Sequence, residues 1–323
     1  MNTIAIVGGS GYIGRHLVAE LARVGHYRLK VLTRKEAADI ADGAWPSNVE
    51  VIHGDLEDPE SMSHFLDPDI TVVNLAYLWS VGELKNLAIT SALLEACKIG
   101  RVKRLIHCST AAVVGRVPND EIVENTPCRP ITEYGITKLK IEQLIVSNAL
   151  GHFDVAILRP TGVFGPAGEP LRKLANDLVN GSRLRNYFKS CLFGRRRMNL
   201  VHIDNVVAAI QFLIQRSEYS GGEIYIVSDD DEASNNFEDI EQFLICMLGC
   251  ASYSLPRISL PLSVLSLLLR FLGRNNINPH CNYVQGKLKS LGFNNPVAFE
   301  DGLAEYAVWY RATQVMGQRG VVK

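Results

Sequence analysis

The chain has 323 residues, of which 47% are hydrophobic, and it carries 33 basic against 34 acidic side chains. This length and hydrophobic fraction suffice for roughly two folded domains with full-sized cores. The near balance of charge argues against nucleic acid as a partner and against bulk attraction to an anionic membrane. The seven cysteines are scattered without a metal-ligand spacing, which predicts reduced thiols and no metal site.

A glycine-rich turn lies between the first two predicted elements. Residues 4–7 form an apolar run typical of a buried strand, and apolar residues recur at helical spacing from position 13 onward. Glycines at this junction permit a tight turn, and the helix start offers free N–H groups to an anion. The turn therefore predicts a dinucleotide phosphate site, although such junctions also carry glycines for geometry alone. The predicted phosphate-binding residues are Gly8, Ser10, Gly11, Tyr12, Ile13 and Gly14.

The second predicted strand ends at Thr33-Arg34-Lys35. One class of dinucleotide-binding proteins has an acidic residue at this point, which binds the ribose hydroxyls. Arg34 can instead hold a 2′-phosphate through two parallel hydrogen bonds, and Lys35 adds positive charge. This predicts NADP(H) in preference to NAD(H). The alternative is a solvated basic pair after a strand.

The next two strands end in residues that suit the adenosine half of such a cofactor. Asp55 and Leu56 follow the third predicted strand, where a carboxylate can accept a hydrogen bond from the adenine amino group. Leu75 and Ala76 follow the fourth and can line the path of the adenosine and ribose. Both segments also suit ordinary turns at strand ends.

Strand-like runs alternate with helical patterns through the first half of the chain. The runs end near positions 32, 52, 75, 106 and 158, and this alternation predicts a parallel, doubly wound α/β sheet. Residues 83–99 form a predicted helix that stops at Gly100. The alternation ends near Gly165-Pro166. We therefore expect a cofactor-binding domain at residues 1–165, joined by a returning strand near 223–228, and a mainly substrate-binding domain at residues 166–323.

Tyr134 and Lys138 are spaced four residues apart on a predicted helix, so both project from one face. A neighbouring ammonium can lower the pKa of a phenol, and Tyr134 can then exchange a proton with a substrate oxygen. Upstream, a buried strand runs into Ser109 and Thr110, and a hydroxyl at that strand end can hydrogen-bond a carbonyl being reduced. The same Tyr and Lys spacing also occurs on solvated helix faces.

Together these features resemble the extended short-chain dehydrogenases/reductases, in their NAD-dependent epimerase/dehydratase branch. The resemblance implies a Rossmann-type sheet with a smaller C-terminal α/β substrate-binding domain. It rests on the order, along most of the chain, of the glycine turn, Asp55-Leu56, Asn86, Ser109-Thr110, Tyr134 with Lys138, Arg159-Pro160, and residues 201–205.

The resemblance also implies roles for individual residues. Thr110 aligns with the catalytic hydroxyl, with Ser109 as the fallback, and Tyr134 aligns with the proton-transferring phenol. Lys138 is implied to hold the nicotinamide ribose, and Asn86 to support a proton relay. The residues implied to contact the nicotinamide half of the cofactor are Ser109, Lys138, Pro160 and Val163.

Ala111 and Ala112 stand where the sugar dehydratases of this family have an Asp-Glu pair. Without that acid and base, elimination of water lacks its proton carriers. Two reactions remain: reduction or oxidation at one carbon, and hydride-out, hydride-back epimerisation. Arg34 favours reduction, because a reductase draws on the NADPH pool whereas a redox-neutral epimerase retains its cofactor.

Three arginines, at positions 195–197, suggest the substrate. Related sugar-nucleotide enzymes hold the diphosphate with a basic residue near this point, so Arg197 and Asn199 are the predicted substrate-binding residues, and a 4-keto-6-deoxy sugar nucleotide is the expected substrate. One alternative is that the arginines are simply exposed. Others are an enzyme resembling hydroxysteroid dehydrogenases or flavonoid reductases that acts on an apolar ketone, and a non-catalytic NADP-binding protein.

The first strand begins almost at Met1, which leaves no room for a signal segment and predicts a cytoplasmic location. The most apolar later stretch, residues 260–272, is shorter than the ~20 residues that cross a bilayer. It suits a helix of the core or of a dimer interface, or a peripheral membrane contact. A homodimer through two helices of each subunit is common in the family and stays open here.

Overall fold

The computed structural model describes residues 2–34, 45–217, 222–258, 261–271 and 278–320. The strands are β1 (Asn2–Val7), β2 (Tyr27–Thr33), β3 (Val49–His53), β4 (Thr71–Asn74), β5 (Arg104–Cys108), β6 (Glu121–Ile122), β7 (Asp154–Pro160), β8 (Gly162–Phe164), β9 (Leu200–His202), β10 (Glu223–Val227) and β11 (Asn282–Tyr283). The helices are α1 (Tyr12–Val24), α2 (Pro59–Phe65), α3 (Gly82–Ile99), α4 (Glu133–Ala149), α5 (Arg172–Asn180), α6 (Arg183–Phe193), α7 (Ile203–Gln215), α8 (Phe237–Met247), α9 (Leu262–Phe271), α10 (Gly286–Ser290) and α11 (Phe299–Gly320).

Seven strands form one parallel sheet in the order β3-β2-β1-β4-β5-β7-β10, which confirms the predicted doubly wound α/β fold. The strand expected near residues 223–228 is β10, at the edge of this sheet. Because the order reverses between β1 and β4, a crevice opens at the carboxyl ends of those two strands. The register pairs Val7 with both Leu32 and Asn74, so the segments that follow β1, β2 and β4 meet at one edge.

A hydrophobic core packs between this sheet and helices α2, α3 and α4. Val7, Val72 and Leu105 from the strands are buried in one cluster with Leu93 from α3 and Ile145 from α4. Strand residues buried on both faces explain why β1, β4 and β5 read as continuous apolar runs rather than alternating patterns. The sheet is thus held rigidly behind its carboxyl edge.

By its internal contacts the chain divides into two units. Unit 1 comprises residues 1–114, 128–159 and 207–225, and unit 2 comprises residues 115–127, 160–206 and 226–323. Unit 2 has its own core, in which Phe164 and Leu200 pack with Ile240 of α8 and Tyr306 of α11. The contact units are interleaved along the chain, whereas the boundary expected at residue 165 is a single cut, and that boundary stays a prediction. Within the described ranges, no helix has both the length and the apolarity to cross a membrane.

Candidate active site

The glycine turn of unit 1 has the geometry that the sequence predicts for a phosphate site. Gly8 has φ +80°, and a Cβ there would lie 2.8 Å from the backbone nitrogen of Ala76. A Cβ at Gly14 would lie 2.3 Å from the carbonyl oxygen of Gly8. Helix α1 begins at Tyr12 without a side-chain cap on its first N–H groups. The turn therefore leaves room and donors for an anion at the helix start, which fits a dinucleotide phosphate.

A cavity of about 280 Å³ opens beside this turn, at the carboxyl edge of the sheet. Predicted residues that line it are Gly8, Ser10, Gly11, Arg34, Asp55, Leu56, Leu75 and Ala76. Lining residues that the sequence analysis missed include Thr33, Glu57, Tyr77, Leu78, Lys85 and Ile89. They come from the end of β2, from the loops after β3 and β4, and from α3, so their proximity follows from strand order, which local patterns do not reveal.

The two predicted adenosine-end residues lie next to each other. Nη1 of Arg34 is 3.6 Å from Oδ2 of Asp55, and the two side chains are 60% and 41% exposed. An ion pair this exposed contributes at most about 1 kcal/mol, so the guanidinium can exchange it for a phosphate at low cost. Lys35, which was expected to add charge, lies outside the described residues.

The candidate reacting groups meet because of one glycine. A Cβ at Gly135 would lie 2.8 Å from the carbonyl oxygen of Ala112, so the start of α4 approaches the turn after β5 more closely than another residue would permit. In that turn the Thr110 hydroxyl accepts a hydrogen bond from the Ala112 N–H at 3.2 Å. The Thr110 hydroxyl lies close enough to the Tyr134 phenol to lower the pKa of that phenol. The predicted hydroxyl and phenol are thus brought together.

Lys138 lies one helical turn beyond Tyr134 and is buried. Its Nζ donates a hydrogen bond to the carbonyl oxygen of Cys108 at 3.0 Å and lies 5.2 Å from the ring centroid of Tyr77. Burial lowers the pKa of the Lys138 ammonium, and Glu142 partly offsets this. Lys138 therefore holds the end of β5 against α4. Ser109, between Cys108 and Thr110, is buried as well.

The lowering of the Tyr134 pKa that the sequence predicts from Lys138 and a cationic nicotinamide stays a prediction, and burial is the largest influence on this pKa in the polypeptide. Burial raises the pKa of Tyr134 to about 12, and the Thr110 hydroxyl only partly counters it. Desolvation disfavours the charged phenolate, and the ammonium of Lys138 is directed to a backbone carbonyl instead. Tyr134 is therefore a neutral phenol at physiological pH, a form that can donate a proton.

An aromatic cluster covers Tyr134. Trp79 stacks on its ring with centroids 4.7 Å apart and planes 22° apart, and Tyr77 meets it edge-on at 5.0 Å. The Trp79 indole is nevertheless 74% exposed, so its other side is open to solvent. The sequence analysis missed both aromatic residues. Their position after β4, next to Ala76, is the signal that could have found them.

Asn86, for which the resemblance implies support of a proton relay, is hydrogen-bonded to the backbone of the loop before α3, and the relay role stays a prediction. Its amide nitrogen donates to the carbonyl oxygens of Leu78 and Gly82, and its amide oxygen accepts from the Leu78 N–H, each at 2.9 Å. Both donor hydrogens are therefore directed at the loop that carries Trp79. The buried amide fixes that loop.

The remaining predicted residues belong to unit 2. Pro160 ends β7 and Val163 lies in β8. Arg197 donates to the carbonyl oxygen of Glu232 at 2.8 Å. The Asn199 amide donates to buried Asp230 and to the carbonyl oxygen of Cys281, so it is engaged within the fold. Their substrate and cofactor roles stay predictions.

One group of metal-type donors occurs among the described residues, although the sequence predicts no metal. His202, Asp204 and Glu305 bring a ring nitrogen and two carboxylate oxygens within 4.8 Å of one another. The buried imidazole accepts from the Asp204 N–H at 3.4 Å, and its Nε2 lies 3.3 Å from Glu305. These contacts join α11 to the start of α7, which accounts for the group without an ion.

Comparison with known proteins identifies a family, several curated relatives and several similar solved structures. The sequence model of the NAD dependent epimerase/dehydratase family matches residues 4–228. Over 234 residues, 69% of this chain and 67% of the relative, the chain is 28% identical to the 4-hydroxy-2-methyl-3-oxo-4-farnesyl-3,4-dihydroquinoline-1-oxide ketoreductase of Stigmatella aurantiaca. It spans about half the length of two other curated relatives that it matches, 46% and 47%.

Solved structures show the same fold. The dTDP-glucose 4,6-dehydratase of Bacillus anthracis, in complex with NAD, has a TM-score of 0.74 at 18% identity, over 98% of both chains. The UDP-glucose 4-epimerase of Thermotoga maritima, solved with UDP-glucose, has a TM-score of 0.71 at 20% identity, over 97% of this chain and 100% of that one.

The family match includes the glycine turn, Tyr134 and Lys138. The chain therefore belongs to the NAD-dependent epimerase/dehydratase family, whose members are NAD(P)-dependent enzymes of the extended short-chain dehydrogenase/reductase type.

Proposed function

We propose that the chain is an NADP(H)-dependent reductase of a keto group on a nucleotide-linked sugar, with Tyr134 as the proton donor. The observation that carries the proposal is the proximity of Thr110 to Tyr134, with Lys138 one helical turn away. A phenol with a pKa of about 12 is protonated at neutral pH, which suits reduction.

Bound NADPH supplies the hydride that adds to the keto carbon. The Thr110 hydroxyl polarises the keto oxygen, and the Tyr134 hydroxyl gives that oxygen its proton, so that the ketone becomes an alcohol. Lys138 donates to the carbonyl oxygen of Cys108 and so holds the end of β5, which leads to Thr110, against α4. The aromatic side chains of Tyr77 and Trp79 keep water away from one side of the phenol, which strengthens these electrostatic effects.

Two observations support reduction over the family's other reactions. Ala111 and Ala112 follow Thr110 in the turn, so that turn has no acid or base for dehydration. Arg34 at the cavity rim favours NADPH, the cofactor that a net reductase consumes. The Stigmatella relative is itself named a ketoreductase. The runner-up, epimerisation at one carbon, uses the same three side chains without consuming the cofactor.

The nucleotide-sugar substrate is supported by relatives and by charge. The Thermotoga neighbour was solved with UDP-glucose. Arg197 is half-buried, and its Nη1 donates to the backbone carbonyl oxygen of Glu232. The guanidinium has further N–H donors that can hold a diphosphate. We further propose a cytoplasmic location, a homodimer, and a role in polysaccharide biosynthesis, where such sugars are consumed.

A thermal-shift panel tests the substrate class. UDP-, GDP- and dTDP-linked sugars are each added to the protein with NADPH present, and we expect a stabilising shift with one nucleotide. Arg197→Ala should abolish that shift, while Arg195→Ala, which removes an exposed side chain paired with Asp239, should retain it. Turnover of a steroid or flavonoid ketone by both variants, with no shift for any nucleotide sugar, would favour the apolar-ketone alternative.

A further inference from the structure

One face of unit 2 combines exposed apolar side chains with basic groups. On α6, Leu184 and Phe188 are 62% and 61% exposed, and they lie one turn apart on the same side of the helix. On α9, Val264, Leu267 and Phe271 are 49%, 57% and 81% exposed at the spacing of a single stripe. Exposed stripes on two helices are more than scattered surface apolar residues and indicate an interaction surface.

The two stripes belong to one continuous surface. Helices α6 and α9 contact each other. The segment that precedes α9 is tied to α6, because Tyr187 donates to the carbonyl oxygen of Pro256 at 2.8 Å and Arg183 donates to that of Ser252 at 2.5 Å. This segment adds Leu255 and Ile258, 61% and 67% exposed. We call the surface formed by α6, residues 252–258 and α9 the apolar basic face.

The charge of this face has one sign. The sequence has no Asp or Glu from residue 178 to 203 or from residue 242 to 299, although acidic and basic residues are balanced over the whole chain. Arg185 and Lys189 pair with Asp177 of α5, and Arg257 pairs with Glu238 of α8. Arg183 and Arg270 are exposed; Arg183 donates to a backbone carbonyl oxygen, and neither arginine forms an ion pair with a carboxylate of the described residues. The face therefore presents uncompensated positive charge beside its apolar stripes.

We propose that the apolar basic face binds the surface of a membrane that contains anionic phospholipids. The apolar side chains enter the boundary between head groups and acyl chains, and the arginines contact lipid phosphates. A second copy of this chain fits the face poorly, since a symmetric dimer would place arginine against arginine without carboxylates between them. None of the described helices is able to span a bilayer, so this contact is peripheral.

Vesicle co-sedimentation of the full chain tests this proposal. We expect binding to vesicles of phosphatidylcholine with about one third phosphatidylglycerol, weaker binding to pure phosphatidylcholine, and loss of the difference at high salt. Arg183→Glu with Arg270→Glu should lower the partition constant by about tenfold or more, since each basic residue near an anionic surface contributes about fivefold. Phe188→Ser with Phe271→Ser should lower it for both vesicle types.

Matched controls come from unit 1. Lys103→Glu, and Leu84→Ser with Leu150→Ser, change exposed side chains outside the apolar basic face and should leave binding unchanged. A thermal shift with NADPH verifies that every variant is folded. Three results would overturn the proposal: no vesicle binding by the wild type, equal loss in the control variants, or a lipid-free dimer that the face variants convert to monomers in light scattering.

Discussion

At the scale of single residues, the account depends on the protonation of one phenol. Burial and the aromatic cover of Tyr77 and Trp79 stabilise the neutral form of Tyr134. A group whose pKa is raised keeps its proton further into alkaline solution. The Tyr134 hydroxyl is therefore available as a proton donor throughout the physiological range.

The pH dependence of ketone reduction follows from the upward shift of the Tyr134 pKa. Because the pKa of Tyr134 is raised to about 12, kcat/KM for ketone reduction should not fall through loss of its proton between neutral pH and about pH 10. Initial rates of NADPH consumption across this range measure it. A fall with an apparent pKa near neutrality that disappears in Tyr134→Phe would contradict the assigned protonation state.

The proposed preference for NADPH depends on Arg34. Arg34→Glu places a carboxylate where the 2′-phosphate is expected, so the ratio of kcat/KM for NADPH over NADH should fall by roughly a hundredfold. Arg28→Glu, an exposed arginine on β2, is the matched control and should leave the ratio unchanged. A wild-type enzyme with equal or NADH-favouring KM values would remove Arg34 from this role.

At the scale of elements, helix α4 gathers the site onto one face. Tyr134, Lys138 and Glu142 follow one another at intervals of one helical turn. Tyr134 lies beside Thr110, Lys138 donates to the carbonyl oxygen of Cys108, and Glu142 accepts from Arg159. The close approach at Gly135 fixes how α4 meets the turn after β5. The Glu142 carboxylate in turn holds Arg159 at the end of β7 through two hydrogen bonds.

Gly135→Ala tests the first of these contacts. The added Cβ would lie 2.8 Å from the Ala112 carbonyl oxygen, so α4 must shift and Tyr134 must move from Thr110. We expect kcat to fall by about tenfold to a hundredfold, as for other small misplacements, with the Kd for NADPH nearly unchanged. Gly286→Ala, whose Cβ would meet ordinary contacts at 3.6 Å, is the control. Equal kcat in both variants would contradict the positioning role of Gly135.

Glu142→Gln tests the second contact. Glu142 and Arg159 are each 4% exposed in their side chains, so the substitution leaves a buried guanidinium without its counter-charge. The free energy of unfolding should fall by about 3 kcal/mol. Glu83→Gln on α3 removes the partner of Lys140 on α4, in a more exposed pair, and should cost at most about 1 kcal/mol. Chemical denaturation measures the free energy of unfolding of both variants. Similar losses in the two variants would contradict a larger contribution from the buried Glu142–Arg159 pair.

At the scale of the whole molecule, the sequence predicted what depends on local pattern. Apolar runs and their alternation with helical patterns were enough to predict the parallel sheet. The glycine positions indicated the tight turn after β1, and the helix spacing and the family resemblance indicated Thr110 and Tyr134. Contacts between segments that are distant along the chain were not predicted from the sequence. The stacking of Trp79 on Tyr134, the loop held by Asn86 and the raised pKa of Tyr134 all arise from packing between β4, α3 and α4, which no single segment encodes.

Transfer of a labelled hydride tests the central claim most directly. The purified protein is incubated with a 4-keto-6-deoxy sugar nucleotide and NADPH that carries deuterium on the transferred position, and the product is analysed by mass spectrometry. We predict an alcohol that is heavier by one deuterium at the former keto carbon, one NADPH consumed per product, and loss of at least about a hundredfold in rate for Tyr134→Phe but not for Tyr187→Phe. An isomerised sugar formed without NADPH consumption, or an unchanged rate in Tyr134→Phe, would contradict the account.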